Sequence, residues 1–179
     1  LGDVMKNIRF FTERLNIADM QFSDCDYAAK EWGNEISGKY MCDPFYKNGE
    51  ELRDILKDEL ENSEKWTDDF YFSVFKKEND EIIGTACAFE VEKSKKIWGI
   101  GYSIKLTEWN RGYGTELVNG LCEFLKLYNV EIINTLIAKE NISSLKICFK
   151  NGFEIFKETE FIKSGTDIKY SAYELRKKL

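Results

Sequence analysis

Apolar positions along this chain follow two rhythms, and the change between them divides the sequence. Ile8 to Phe11 makes a short first strand, and Asp24 to Trp32 offers helix-compatible residues before an irregular stretch over Gly38 to Asn48 that contains the only Pro. Glu50 to Asn62 then places Leu52, Ile55, Leu56 and Leu60 on one face at helical spacing, with charges filling the rest. From Asp69 the period shortens. Phe70 to Phe75 and Ile82 to Val91 read as strands joined by the polar turn Lys77-Glu-Asn-Asp80, and Ile97 to Ile104 continues the sheet after Glu92-Lys-Ser-Lys-Lys96. The first half is an antiparallel meander.

Beyond Leu106 helix and strand alternate. Thr115 to Tyr128 is predicted helical, Glu131 to Ala138 a strand and Ile142 to Asn151 helical, with strands over Phe153 to Ile162 and Ile168 to Leu175 closing the chain. Ile132, Ile133, Leu136 and Ile137 give the nearly continuous apolar run of a strand covered on both faces. The expected class is α/β (α+β): a mixed, mostly antiparallel central sheet with helices on both faces. No repeat or linker interrupts it, and 179 residues suit one domain, taken as 1–179, better than two.

Composition narrows the partners. With 43% hydrophobic and 32% charged residues the chain has an ordinary globular profile, and its formal charge of -6 argues against nucleic acid, which needs a basic face. Five scattered cysteines without a C-x-x-C spacing, in a chain with no His, offer no zinc pattern and suggest free thiols in a reducing compartment. No apolar stretch reaches the roughly 18 residues of a membrane span, and the N-terminus lacks the apolar core of a signal peptide. A cytoplasmic protein without metal, nucleic acid or membrane partner is expected, and a homodimer is left open.

Two loops carry candidate chemistry. The strand at Ile97 to Ile104 sets Trp98, Ile100, Tyr102 and Ile104 on one face against Gly99, Gly101 and Ser103 on the other. Such a bare face marks the close approach of a ligand or, equally, of a neighbouring helix. It leads into Arg111-Gly-Tyr-Gly-Thr-Glu116 at the start of a helix, where Gly112 and Gly114 let successive N–H groups converge on an anion and the helix dipole favours negative charge. This is chemistry for a pyrophosphate. It lacks the Lys-Ser/Thr of a nucleotide P-loop and the G-x-G-x-x-G of a dinucleotide fold. A second loop, Asn141-Ile-Ser-Ser144, opens the next helix with Asn141 suited to cap it, and Gly152 stops it.

Together these residues resemble the GNAT superfamily of N-acetyltransferases over nearly the whole chain. The family's Gln/Arg-x-x-Gly-x-Gly/Ala is matched at Arg111 and Gly114, with Glu116 in the last small position. Gly-Tyr-Gly-Thr-Glu, preceded by Gly101-Tyr102 and Trp109, is similar to the branch of ribosomal-protein and spermidine acetyltransferases. Asn141, Ser144 and Lys150-Asn-Gly-Phe153 are similar to its downstream motif. The resemblance implies a GNAT-like sheet that splays between the fourth and fifth strands and binds acetyl-CoA as cosubstrate, with no metal. It implies pyrophosphate on Arg111, Gly112, Tyr113, Gly114, Thr115 and Glu116, the backbone of Ser103, Ile104 and Lys105 against pantetheine or the thioester carbonyl, and Asn141 and Ser144 on the cofactor.

The expected reaction is direct attack of a primary amine, small-molecule or peptide, on the thioester. An alkylamine has a pKa near about 10.4, so a base must remove a proton. Relatives often use a Glu on the fourth strand, a position that is Gly99 here, which leaves Glu90 and Glu108 as the nearest candidates. The family's thiolate-protonating Tyr, seven residues after the Asn, is Cys148 here, a candidate acid that also fits a small buried core residue. With no His to activate it, Cys148 is a poor covalent nucleophile. The alternative is an acyl-CoA-binding regulatory or interaction module with little catalysis. Acceptor contacts are expected from Asp24 to Glu61, including Trp32, Tyr40, Phe45 and Tyr46, and from the last strands.

Overall fold

Two-residue alternation builds five consecutive antiparallel strands, one more than the sequence reading gave. In the computed structural model, which describes residues 5–179, β1 (Ile8–Phe11) turns at Thr12 to Arg14 into β2 (Leu15–Asp19). β3 (Asp69–Lys76), β4 (Ile82–Glu92) and β5 (Ile97–Ile104) follow. β2 escaped notice because Asn16 and Asp19 interrupt a run of five residues. Its buried Asp19 is matched by the Arg9 guanidinium at 2.7 and 3.0 Å and by Asn7 Nδ2 at 2.6 Å. Residues 1–4 of the domain expected over 1–179 lie outside the described residues.

Between β2 and β3 stand α1 (Cys25–Trp32), α2 (Gly49–Ile55) and α3 (Lys57–Glu61). The single helix expected over Glu50 to Asn62 is thus two. The chain breaks at Leu56 (φ -93, ψ 8), and Leu52, Leu56 and Leu60 all remain in one core with Ala28, Ala29 and Trp32. The second half runs α4 (Tyr113–Lys126), β6 (Ile132–Ala138), α5 (Ile142–Lys150), β7 (Glu154–Ile162) and β8 (Lys169–Lys178).

The strands form one sheet in the order β1-β2-β3-β4-β5-β6-β8-β7. All neighbours are antiparallel except β5 and β6, which pair in parallel only at Ile97↔Ile132, Trp98↔Ile133 and Gly99↔Asn134. Beyond those residues they diverge. The expected splay is present, between strands now counted fifth and sixth because β2 adds one. α4 covers one sheet face with Leu117, Leu121, Phe124 and Leu125 against Phe70, Phe72 and Trp98, while α1 to α3 form the second core with Met20 and Tyr71. Each fully buried Leu or Phe side chain contributes roughly 1.5–3 kcal/mol, so both faces hold the open strand pair firmly. Among the described residues no helix is long and apolar enough to cross a membrane, and no cluster of three His, Cys, Asp or Glu is placed to hold a metal ion.

Candidate active site

The gap between β5 and β6 exposes backbone. Lys105 N donates to Ile83 O at 2.7 Å, and the two-residue period then turns the amides of Gly101, Ser103 and Lys105 toward β4 and those of Tyr102 and Ile104 toward the gap. On that side Ile100 O accepts from Thr135 Oγ1 at 3.1 Å and Ile104 O from Trp109 Nε1 at 2.7 Å, and because pairing with β6 stops at Gly99 the Tyr102 and Ile104 N–H groups have no partner strand. The expectation named the backbone of Ser103, Ile104 and Lys105. Of these, Ile104 faces the gap, while Ser103 and Lys105 serve β4 through their amides. The Ser103 hydroxyl meets Thr85 Oγ1 at 2.8 Å, and Lys105 Nζ reaches Glu81 at 2.8 Å.

At the wide end of the gap lies the N-terminus of α4. Gly112 is its N-cap at φ +82, a left-handed angle that side chains rarely adopt, and no side chain caps the first turn. The N–H groups of Tyr113, Gly114 and Thr115 therefore lack intrahelical partners at the positive end of a 14-residue helix. A Cβ on Gly114 would come within 2.7 Å of Ile147 Cδ1, so the glycine lets α5 close against this turn. Lys146 and Lys150 of α5 line the same cleft. Arg14, which sequence reasoning missed together with β2, donates to Arg111 O at 3.0 Å and stacks 4.2 Å from the Tyr113 ring.

Two residues of the Gly-rich loop depart from expectation. Glu116 does not line the cleft. Its carboxylate accepts from Thr12 Oγ1 at 2.5 Å and from Arg14 N and Nε at 2.7 Å each, and its own N–H goes to Gly112 O, so it locks the β1–β2 turn onto α4. Burial pushes the Glu116 carboxyl up, but those donors outweigh it and hold it below the usual value. The Arg111 side chain is exposed and pairs with Glu108 at 3.3 Å. Gly112, Tyr113, Gly114 and Thr115 do line the cleft.

Where β5 faces α5, three side chains meet. Tyr102 OH lies 2.5 Å from Ser144 Oγ and 3.5 Å from the Cys148 thiol, and Ser144 N is capped by Asn141 Oδ1 at 3.3 Å. Burial raises Tyr102 well above the ordinary phenol value and also raises Cys148, with the Tyr102 hydrogen bond opposing it. Asn141, Ser144 and Tyr102 line the cleft, whereas Cys148 is fully buried and does not, and the Tyr102 hydroxyl reaches it from another element.

The candidate bases separate. Glu90 lies outside this cleft, in a smaller hollow with Asp68, Asp69 and Tyr71. Glu108 lines the cleft but is buried in ion pairs, with Lys76 Nζ at 2.9 Å and Arg111. Glu108 first and Glu81 second raise the Lys76 ammonium far above its usual value. At Gly99 the bare face is covered: a Cβ there would sit 2.4 Å from the Phe89 ring.

The far wall of the cleft comes from the irregular segment before α2. Glu35, Ser37, Lys39, Tyr40, Met41, Cys42 and Asp43 line it together with Cys87, Phe89, Gly99 and Gly101. This segment is held by the β7–β8 turn, where the fully buried Lys163 donates to Gly38 O at 2.8 Å, Met41 O at 3.0 Å and Asp43 O at 2.6 Å. Tyr170 OH adds a bond to Lys39 O at 2.8 Å. The whole cleft encloses about 1270 Å³, above the roughly 300–1,000 Å³ of an ordinary ligand pocket, so it has room for two reactants in line.

Comparison with known proteins agrees with this geometry. A family model described as an acetyltransferase (GNAT) domain matches residues 14–154. The uncharacterized N-acetyltransferase p20 of Bacillus licheniformis is 27% identical over 146 residues, covering 80% of this chain and 81% of that protein. Among solved structures, spermidine N-acetyltransferase from Vibrio cholerae, in complex with CoA and spermine, shares the fold with a TM-score of 0.78 at 15% identity, covering 92% of this chain and 95% of that one. Ribosomal-protein-S5-alanine acetyltransferase from Vibrio fischeri does so with a TM-score of 0.72 at 21% identity, covering 94% and 95%.

Proposed function

As a member of the acetyltransferase (GNAT) family the chain is an acyl-CoA-dependent acetyltransferase, and we propose that it moves the acetyl group of acetyl-CoA directly onto a cationic primary amine. The observation that carries this reading is the open β5 edge ending at an uncapped helix N-terminus: backbone N–H groups stand free along that edge and at the first turn of α4 in one cleft. In this assignment the Tyr113, Gly114 and Thr115 amides receive the pyrophosphate, with Lys146, Lys150 and Arg14 supplying positive charge. The Tyr102 and Ile104 amides pair with pantetheine and with the thioester oxygen, where a donor stabilises the charge that develops during attack. Asn141 and Ser144 are assigned to border the donor, and Tyr102, backed by the fully buried Cys148 thiol 3.5 Å away, is assigned to protonate the departing thiolate. Glu35, Asp43 and Glu140 outnumber Lys39 at the acceptor end, which favours a cationic amine over a neutral or anionic one.

The test is free-thiol release from acetyl-CoA against spermidine, glycinamide and a peptide beginning with alanine, with thermal shift reporting donor binding. Acetyl-CoA is expected to raise Tm, and at least one amine to accelerate thiol release in step with its own acetylation. A Tm shift without transfer to any amine would instead support the acyl-CoA-binding module. Absence of both effects would remove the donor assignment.

A further inference from the structure

Four carboxylates line the cleft, and their surroundings differ. Glu35 and Glu140 are exposed at its rim, and Glu108 is occupied by Lys76 and Arg111. Asp43 is half-buried, forms no side-chain ion pair among the described residues, and lines the cleft with Cys87, whose thiol lies within its field, and with Gly99, Gly101 and Tyr102 of β5. Its backbone is fixed by Lys163, whose ammonium donates to Asp43 O at 2.6 Å, and the neighbouring Cys42 O accepts from Ser164 N at 2.9 Å. The main chain that carries this carboxylate is therefore held in place.

We propose that Asp43 is the general base that deprotonates the acceptor amine, an inference resting on the acetyl-transfer reading above. The alkylammonium gives one proton to the Asp43 carboxylate, and the freed lone pair attacks the thioester carbonyl. The C–N bond forms, the C–S bond breaks, and the second proton of the nitrogen ends on the CoA sulfur. Asp43 then releases its proton to solvent.

The electrostatics suit the role. Burial raises the Asp43 carboxyl above its ordinary value, against a hydrogen bond from its own backbone N–H and the Lys163 charge, which makes it a stronger proton acceptor than a surface aspartate. The groups within its field are Lys163, Cys42, Tyr46, Tyr71 and Cys87. Cys87 is pushed up to about 12, by burial first and Asp43 second, so this thiol stays neutral while Asp43 titrates.

Activity requires the carboxylate, so kcat should be full above the Asp43 pKa and fall as pH drops through it, at a pH higher than for an exposed aspartate. The experiment measures kcat against pH on whichever of spermidine, glycinamide or the alanine peptide wild type acetylates fastest. Asp43→Asn, which keeps the main-chain carbonyl that Lys163 uses, should lower kcat about 100-fold and abolish the acidic limb. It should retain the wild-type thermal shift with acetyl-CoA, and Asp43→Glu should recover part of the rate. An Asp43→Asn enzyme as fast as wild type overturns the base assignment and leaves acetyl transfer standing. A wild type that acetylates none of the amines overturns both. Should Asp43→Asn not fold, a wild-type kcat flat across the acidic range overturns the base by itself.

Discussion

The two ends of the cleft are built from different materials. The end proposed for the donor is made of backbone: the unpaired edge of β5, the uncapped first turn of α4 and two glycines, within residues 98–116 and bordered by Asn141 to Ser144. The end proposed for the acceptor is made of side chains and an irregular segment, 35–43, tied down by Lys163 from 125 residues away in sequence. Backbone recognition is indifferent to most side-chain changes, so one donor can be kept while the opposite wall is free to change. The comparison predicts that lesions at the two ends separate cleanly, one in donor affinity and the other in acceptor kinetics.

The largest effect should come from Lys163→Met. Three carbonyls lose a charged donor in a fully buried place, where each unsatisfied polar group costs about 1–3 kcal/mol, so a net loss of about 3 kcal/mol in a denaturant melt is expected. The folded variant should show a raised KM for the amine and an unchanged acetyl-CoA affinity. An acetyl-CoA affinity that falls in parallel would break the division, because the two ends would then share one support.

This contrast also explains what could be read in advance. Arg111 to Glu116 and Asn141 to Ser144 announce themselves because glycine at a left-handed angle and an N-capping Asn are local requirements, visible in a few consecutive residues. The β5–β6 splay was legible for the same reason. Asp43 and Lys163 were not, since nothing near either residue indicates that a turn between β7 and β8 will reach Gly38. Missing β2 had a further cost: without the Thr12 to Arg14 turn, Glu116 had no visible partner and was assigned to the donor, when its carboxylate is held by Thr12 and Arg14. Glu90 and Glu108 were chosen by nearness along the chain, which cannot distinguish a residue outside the cleft from one already paired inside it.

The donor end is broken most directly by Gly112→Val. A β-branched residue at φ +82 costs about 1–3 kcal/mol of strain, and relief of that strain moves the N–H groups of the first turn. About 2 kcal/mol lost from donor binding is roughly a 30-fold weaker acetyl-CoA affinity. Titration by intrinsic fluorescence or calorimetry checks this, and the amine KM at saturating donor should stay within about twofold of wild type if the two ends are as independent as their construction implies. A raised amine KM with intact donor affinity would be the reverse of the expected pattern.

The smallest effect is expected where the two ends meet, at Tyr102 and Cys148. Both groups are raised above their ordinary values by burial, whereas a CoA thiolate resembles a free thiol with a pKa near about 8.5. A proton donor weaker than the acid it must form transfers its proton without driving force. Cys148→Ala should therefore slow turnover at saturating acetyl-CoA by about tenfold, below the roughly 100-fold usual for a well-matched acid. Tyr102→Phe, which removes the hydroxyl lying 2.5 Å from Ser144 and 3.5 Å from Cys148, should cost about the same. If thiol and phenol act as one relay, the double variant will be no slower than either single one, as groups acting as a unit are not additive. Losses that multiply would mean that the two side chains stabilise the floor of the splay separately, and a near-normal rate in Cys148→Ala would take the thiol out of the mechanism and leave protonation to Tyr102 or to water.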